Sequence, residues 1–286
     1  VPDPVLESRR VSVGDLSLRY LDFGGGGRPL LFLHATGFHA HVWVPYARRF
    51  AVGRRVLCLD QRGHGESDKP RTGYRWEAFG HDLVGFLDAL DLRDVDAVGH
   101  SMGGTVIAAA ASFGTRRLAR AVLLDPVLIP GAPLPEPAWE SMLSAGARRR
   151  REVWGSRDEM FAALRTKATF ATWEEEFVRL YVDHGVADRP DGQVELRCPR
   201  DVEATIFALG VLSDSFAFLE GLAVPTLLVR GADSPSLPAA SGTEAMRRLP
   251  DGRLLSVDGA GHFVPQERPG AVMDAIGEFL GESAPV

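Results

Sequence analysis

Ser101 lies in the string Gly99-His100-Ser101-Met102-Gly103-Gly104, between an apolar run ending at Val98 and a helix-forming run over 105–110. A serine on a sharp turn from strand to helix holds a strained backbone, and small residues two positions either side, Gly99 and Gly103, let such a turn close. The strain lifts the hydroxyl into the open. The helix that begins there aims its unpaired amides and positive dipole end at the place where negative charge would develop. A hydroxyl is a poor nucleophile until a base takes its proton, so one of the eight histidines must serve. In an elbow of this type the chain order is nucleophile, acid, histidine. His34, His39, His41, His64, His81 and His100 all precede Ser101, which leaves His184 and His262. His262, in Gly259-Ala260-Gly261-His262-Phe263 after the last apolar run, is the expected base. His184 falls in a charged, aromatic-rich stretch, where it is expected on the surface or lining a pocket. Two aspartates end apolar runs, Asp233 after TLLVRGA and Asp125 after AVLL. Asp233 is the expected acid and Asp125 the alternative, since either could orient the imidazole and stabilise its charged form.

Those groups need a frame that brings the ends of several strands to one edge. Residues 11–23 alternate apolar and polar side chains around Gly14-Asp15, which predicts a two-residue hairpin. Short, nearly unbroken apolar runs follow at 30–35, 56–60, 95–99, 121–125, 226–231 and 253–259, the pattern of strands buried on both faces. Between them lie helix-period segments such as 76–90, where Phe79, Leu83, Phe86, Leu87 and Leu90 recur at three- and four-residue steps. The alternation predicts an α/β fold: a mostly parallel, doubly wound sheet of about eight strands covered on both sides. It stops at Pro130 and resumes near Val224. The stretch between opens with Pro130, Pro133, Pro135 and Pro137 and then reads as helices with Trp154, Phe161, Phe170, Trp173, Phe177 and Tyr181. The expected division is therefore a core domain of residues 1–129 and 222–286 with an inserted helical cap over 130–221.

With these motifs in place the chain resembles an α/β-hydrolase of the capped, esterase-like or lactonase-like kind. Four segments carry the likeness, in the family's order: His34-Ala35-Thr36-Gly37-Phe38 with Trp43 following, Asp60-Gln61-Arg62-Gly63-His64-Gly65-Glu66-Ser67, Gly99 to Gly104, and Gly259-Ala260-Gly261-His262. It spans nearly all of residues 11–280. The resemblance implies Ser101 as nucleophile, His262 as base and Asp233 as the usual acid, with a minority of members, some lactone hydrolases included, using the Asp125 position. It also implies an oxyanion hole from the Met102 amide and one from the loop after His34, expected at Thr36. Where the family commonly has His-Gly this chain has His34-Ala35, which leaves the choice among Thr36, Gly37 and Phe38 open. The segment 60–67 is mainly structural in the family, and its glycines do not open a helix as a phosphate loop requires.

Other features narrow the function. Against 32 basic residues stand 38 acidic ones, a formal charge of −6, which is not the footprint of a nucleic-acid binder. Two cysteines, Cys58 and Cys198, offer neither a disulfide framework nor a thiolate metal site and fit a reducing cytosol. The opening Val1-Pro2-Asp3-Pro4 is not a basic patch followed by an apolar stretch, and no apolar run approaches the roughly 20 residues of a membrane span. A soluble, cytoplasmic protein is expected. His39-Ala40-His41 lacks further ligands for a metal, the arginines over 148–151 read as a solvated helix face, and the glycines 24–27 read as a mobile turn. The chemistry expected is cofactor-free hydrolysis of a small to medium, mainly apolar carboxylic ester or lactone through an acyl-enzyme on Ser101. Phe38, His100, His184, Trp154 and Phe263 are the candidates for lining its pocket. Carbon-carbon bond hydrolysis of diketones, amide cleavage and cofactor-free peroxidation would use the same triad. A non-catalytic ligand-binding protein on the same scaffold is the alternative of another class.

Overall fold

The computed structural model describes residues 6–130 and 142–282. The opening Val1-Pro2-Asp3-Pro4 and Pro133, Pro135 and Pro137 lie outside the described residues. Along the chain come β1 (Glu7–Val13), β2 (Leu16–Asp22), β3 (Leu30–Leu33), α1 (Val44–Phe50), β4 (Val56–Leu59), α2 (Trp76–Ala89), β5 (Val95–His100), α3 (Met102–Ser112) and β6 (Leu118–Leu124). After the 130s follow α4 (Met142–Arg148), β7 (Val153–Trp154), α5 (Arg157–Arg165), α6 (Ala168–Ala171), α7 (Glu175–Gly185), β8 (Val186–Asp188), β9 (Val194–Leu196), α8 (Arg200–Gly210) and α9 (Ser215–Glu220). The chain closes with β10 (Thr226–Gly231), α10 (Ala239–Arg248), β11 (Gly252–Val257), α11 (Val264–Glu267) and α12 (Pro269–Leu280).

Eight strands form one sheet in the order β1-β2-β4-β3-β5-β6-β10-β11. β1 and β2 pair antiparallel through the Gly14-Asp15 turn, and β2 pairs antiparallel with β4. Every pair from β4 to β11 is parallel, as unbroken apolar runs linked by helices require. Successive strand residues face opposite layers. Phe32, Cys58, Val98, Val122 and Val229 pack towards Phe50 of α1 and Ile276 of α12. Leu31, Leu33, Leu57, Ala97, Leu123 and Leu228 pack towards Phe86 of α2, Val106 of α3 and Ala245 of α10. One expected buried strand differs: β11 ends the sheet, and most of its side chains are exposed or half-buried, because an edge strand needs covering on fewer sides.

The stretch expected to be purely helical also holds a small antiparallel sheet, β7-β9-β8. Strands of two or three residues are too short to show a period of two in sequence. Trp154, Trp173, Phe177 and Tyr181 from this stretch share one apolar cluster with Phe38, Trp43 and Tyr46, so the layer above the sheet is packed onto it. Among the described residues no helix is long and apolar enough to cross a membrane.

Candidate active site

β5 runs into α3 through Ser101, whose backbone sits at φ 55°, ψ −120°, a region that non-glycine residues occupy only under constraint. Two close approaches impose it. A Cβ on Gly99 would stand 2.6 Å from the amide nitrogen of Gly104, and one on Gly103 would stand 2.9 Å from the His34 carbonyl oxygen. The glycines thus let α3 start against the end of β3. Gly103→Ala drives a methyl into the Leu33 and His34 backbone and is expected to cost about 3 kcal/mol. A urea midpoint equal to the parent's would contradict that.

The Ser101 Oγ lies 3.0 Å from Nε2 of His262, and His262 Nδ1 lies 2.7 Å from Oδ1 of Asp125. With its Nδ1–H on the carboxylate, the imidazole turns the Nε2 lone pair to the serine hydroxyl. The acid in this relay is Asp125, not Asp233, and the assignment made from sequence is corrected here. Asp233 is exposed, and its main-chain N–H donates to Ala260 O at 2.9 Å. Asp125 is fully buried at φ 43°, where the end of β6 kinks its carboxylate inwards. Its Oδ2 accepts from the Gly231 amide at 2.9 Å, and its Oδ1 also accepts from the Ser234 hydroxyl at 2.6 Å. Ser234 carried no signal in sequence, since only the fold brings it to Asp125. A Cβ on Gly231 would be 2.8 Å from the Ala260 carbonyl carbon, so this glycine lets the loop that carries His262 rest on the end of β10.

Of the three amides left open after His34, two are engaged. Phe38 N donates to Ala35 O at 3.1 Å, and Gly37 N donates to His64 Nε2 at 2.9 Å. The Thr36 amide remains, and its hydroxyl reaches Met102 Sδ at 3.4 Å. Met102 opens α3, where the first amides have no partner within the helix. Thr36 and Met102 thereby fit a pair of donors for a developing oxyanion. The segment after β4 holds this loop in place: Gln61 N donates to His34 Nε2 at 3.0 Å, and Gln61 Nε2 donates to His34 O at 2.7 Å. Asp60 accepts from Ala40 N at 2.7 Å and Glu66 N at 2.9 Å. These are structural tasks, as read from sequence.

Burial pushes His34, His64 and His100 down from the usual imidazole range and takes His39 to about 4. His100 Nε2 donates to the His262 carbonyl at 2.9 Å, so it fastens the base's backbone. Phe38 and Phe263 stack at 5.9 Å between centroids, with Trp173 at 5.4 Å and Tyr181 at 5.2 Å from Phe38. Phe263 lies edge-on to His262 at 5.2 Å. An aromatic wall stands beside the base. Trp173 and Tyr181 were not singled out for it, although the aromatic spacing of their stretch was visible.

The other two expected pocket residues have these partners. His184 stacks on His41 at 3.6 Å, and Arg19 holds the imidazole of His41 at 3.4 and 3.5 Å. Trp154 donates its indole N–H to Arg151 O at 3.1 Å, with the Arg151 guanidinium 4.3 Å over its ring. Nor are the arginines over 148–151 a wholly solvated face. Arg150 pairs with the buried Glu203 and donates to the Tyr181 hydroxyl at 2.7 Å. The pair crowds the oxyanion loop: a Cβ on Gly37 would be 2.9 Å from Glu203 Cδ and 3.3 Å from Arg150 Nη1.

Known proteins share this fold. A family model described as alpha/beta hydrolase fold matches residues 28–269. The chain is 30% identical over 276 residues to 2-(acetamidomethylene)succinate hydrolase of Mesorhizobium japonicum, covering 96% of this chain and 95% of that protein. It is also 30% identical over 276 residues to the non-heme chloroperoxidase CPO-A1 of Kitasatospora aureofaciens, covering 92% and 95%. The crystal structure of E-2-(acetamidomethylene)succinate hydrolase superposes with a TM-score of 0.85 at 27% identity, covering 97% of this chain and all of that one.

Proposed function

The chain belongs to the alpha/beta hydrolase family, and from that premise we propose that it is a serine hydrolase of small to medium carboxylic esters or lactones. The observation that supports this most directly is the unbroken relay from Ser101 Oγ through His262 to Asp125. Ser101 attacks the carbonyl carbon while His262 Nε2 takes the hydroxyl proton, and Asp125 stabilises the imidazolium that results. The amides of Thr36 and Met102 hold the oxyanion. His262 then passes its proton to the leaving group, the acyl group stays on Ser101, and water, deprotonated by the same imidazole, releases it. The wall of Phe38, Trp173, Tyr181 and Phe263 suits an apolar substituent. A filled relay also argues against a purely ligand-binding role.

A second reading is favoured by the Arg150–Glu203 pair beside the oxyanion loop, charged groups that a wholly apolar substrate would not need. The first relative is named for a substrate with an acetamido group and a succinate. By this reading the scissile bond is an amide, or an activated carbon-carbon bond, in a substrate that carries carboxylates.

A panel of nitrophenyl esters, lactones, N-acyl enamides and vinylogous diketone acids separates the two. We expect a burst of nitrophenol from the short-chain esters and an acyl adduct on Ser101 by intact mass, both lost in Ser101→Ala. Turnover confined to the enamides or diketones would replace the ester reading with the second one. Turnover that survives in Ser101→Ala would remove both.

A further inference from the structure

The turn over 231–234, where sequence places the acid, faces Asp125 with a main-chain N–H and a hydroxyl. We propose that Ser234 is a positioning residue of the reaction: its hydroxyl locks the plane of the Asp125 carboxylate and shares Oδ1 with the Nδ1–H of His262. The proposal rests on the serine-hydrolase reading above.

The direction of the Ser234 hydrogen follows from its neighbours. The amides of Ser236 and Leu237 lie 3.2 and 3.4 Å from Ser234 Oγ and donate to it. A hydroxyl has one hydrogen to give and two lone pairs to fill. With amides on the accepting side, that hydrogen points to Asp125 Oδ1, 2.6 Å away. Ser234 is itself buried, so water does not compete. The Gly231 amide holds Oδ2, and two fixed donors on two oxygens leave the carboxylate no rotation about its last bond. A fully buried carboxylate needs such donors to stay charged.

The shared oxygen has a chemical consequence. A donor on Oδ1 draws electron density from the atom that meets His262 Nδ1–H, 2.7 Å away, and so moderates how strongly Asp125 favours the imidazolium. Removing that donor does two things. The carboxylate gains freedom to turn, which slows the step, and more charge falls on Nδ1–H, which raises the pH at which His262 loses its proton. The base must be neutral to act, so the acid limb of the rate profile moves upward. A serine that only filled space would leave that limb in place.

The test is kcat/KM for a nitrophenyl ester against pH in the parent, Ser234→Ala and Ser234→Thr. For Ser234→Ala we expect kcat to fall about tenfold, the scale of one hydrogen bond to a charged group, and the acid limb to rise by about half a pH unit. Ser234→Thr keeps the hydroxyl and should restore both. An alanine variant with kcat within about twofold of the parent and an unmoved acid limb would overturn the proposal. If the alanine variant does not fold, Ser234→Cys keeps the volume with a weaker donor and is held to the same criteria. Proton NMR supplies a readout that needs no turnover. The downfield Nδ1–H resonance of His262 should shift in Ser234→Ala, and a resonance identical to the parent's would count against a shared oxygen. Because that signal does not depend on acyl transfer, failure of the hydrolase reading, seen as turnover by Ser101→Ala, is distinguished from failure of this one.

Discussion

Asp125→Asn is expected to lower kcat by about four orders of magnitude, whereas Asp233→Asn stays within about twofold of the parent. The substitution at 125 preserves shape and removes an acceptor. Both oxygens of Asp125 face donors: Gly231 N–H on Oδ2, and the Ser234 hydroxyl with His262 Nδ1 on Oδ1. An asparagine must present its NH2 to one of these. If it meets His262, the ring answers with its other tautomer and turns an N–H, not a lone pair, to Ser101. If it meets Gly231, two donors oppose each other in a fully buried site, which costs about 1–3 kcal/mol. Initial rates with a nitrophenyl ester measure both variants, and circular dichroism shows whether the fold is kept. Loss of activity in Asp233→Asn with retention in Asp125→Asn would reverse the assignment.

A fall in pH from 7.5 to 5 should lower the stability of the protein by several kcal/mol before the ordinary carboxylates titrate. His34, His39, His41, His64 and His100 are buried, and burial holds all five below the unfolded value. For His41 the neighbouring His39, His184 and Arg19 push the same way. The unfolded chain takes up a proton at each near pH 6.5, and the folded chain does so only at a lower pH. Stability is therefore greatest above about 6.5 and falls as the pH drops towards the folded values. A histidine kept neutral in the fold contributes a slope of up to about 1.4 kcal/mol per pH unit below pH 6.5, and His39, taken to about 4 by burial, keeps that slope down to pH 5. The hydrogen bonds explain why the neutral forms are needed. His34 and His64 each accept an amide on Nε2, from Gln61 and Gly37, and an imidazolium cannot accept. Urea midpoints at pH 7.5, 6 and 5 test this, and a flat series would contradict it.

How far the site was legible in sequence depended on whether a residue's partner lay next to it in the chain. Ser101 could be read because the strand, the two glycines and the helix that constrain it are contiguous, and His262 because chain order leaves few candidates. The acid could not be separated by the same means. β6 and β10 are adjacent and parallel, with Leu124 opposite Val229, so both aspartates emerge at the same edge of the sheet. What selects Asp125 is its φ of 43° and a serine more than a hundred residues away, neither of which leaves a local pattern. The sheet itself was plain from its apolar runs, but the run at β11 reads as a strand buried on both faces because leucines look alike at an edge. The charged pair Arg150–Glu203 was hidden for a similar reason, since an arginine cluster on a helix does not announce which member turns inwards.

With the acid on β6, two of the three linked groups lie on neighbouring strands before Pro130, and the third follows β11. Among the described residues of the stretch between Pro130 and Val224, Trp173 and Tyr181 join Phe38 and Phe263 in the wall, while the relay runs through Ser101, His262 and Asp125. The relay thus comes from the sheet-forming lengths of chain, and half of the aromatic wall from the stretch inserted between them. Grafting that stretch from another family member would change what is admitted while the machinery beneath it stayed assembled.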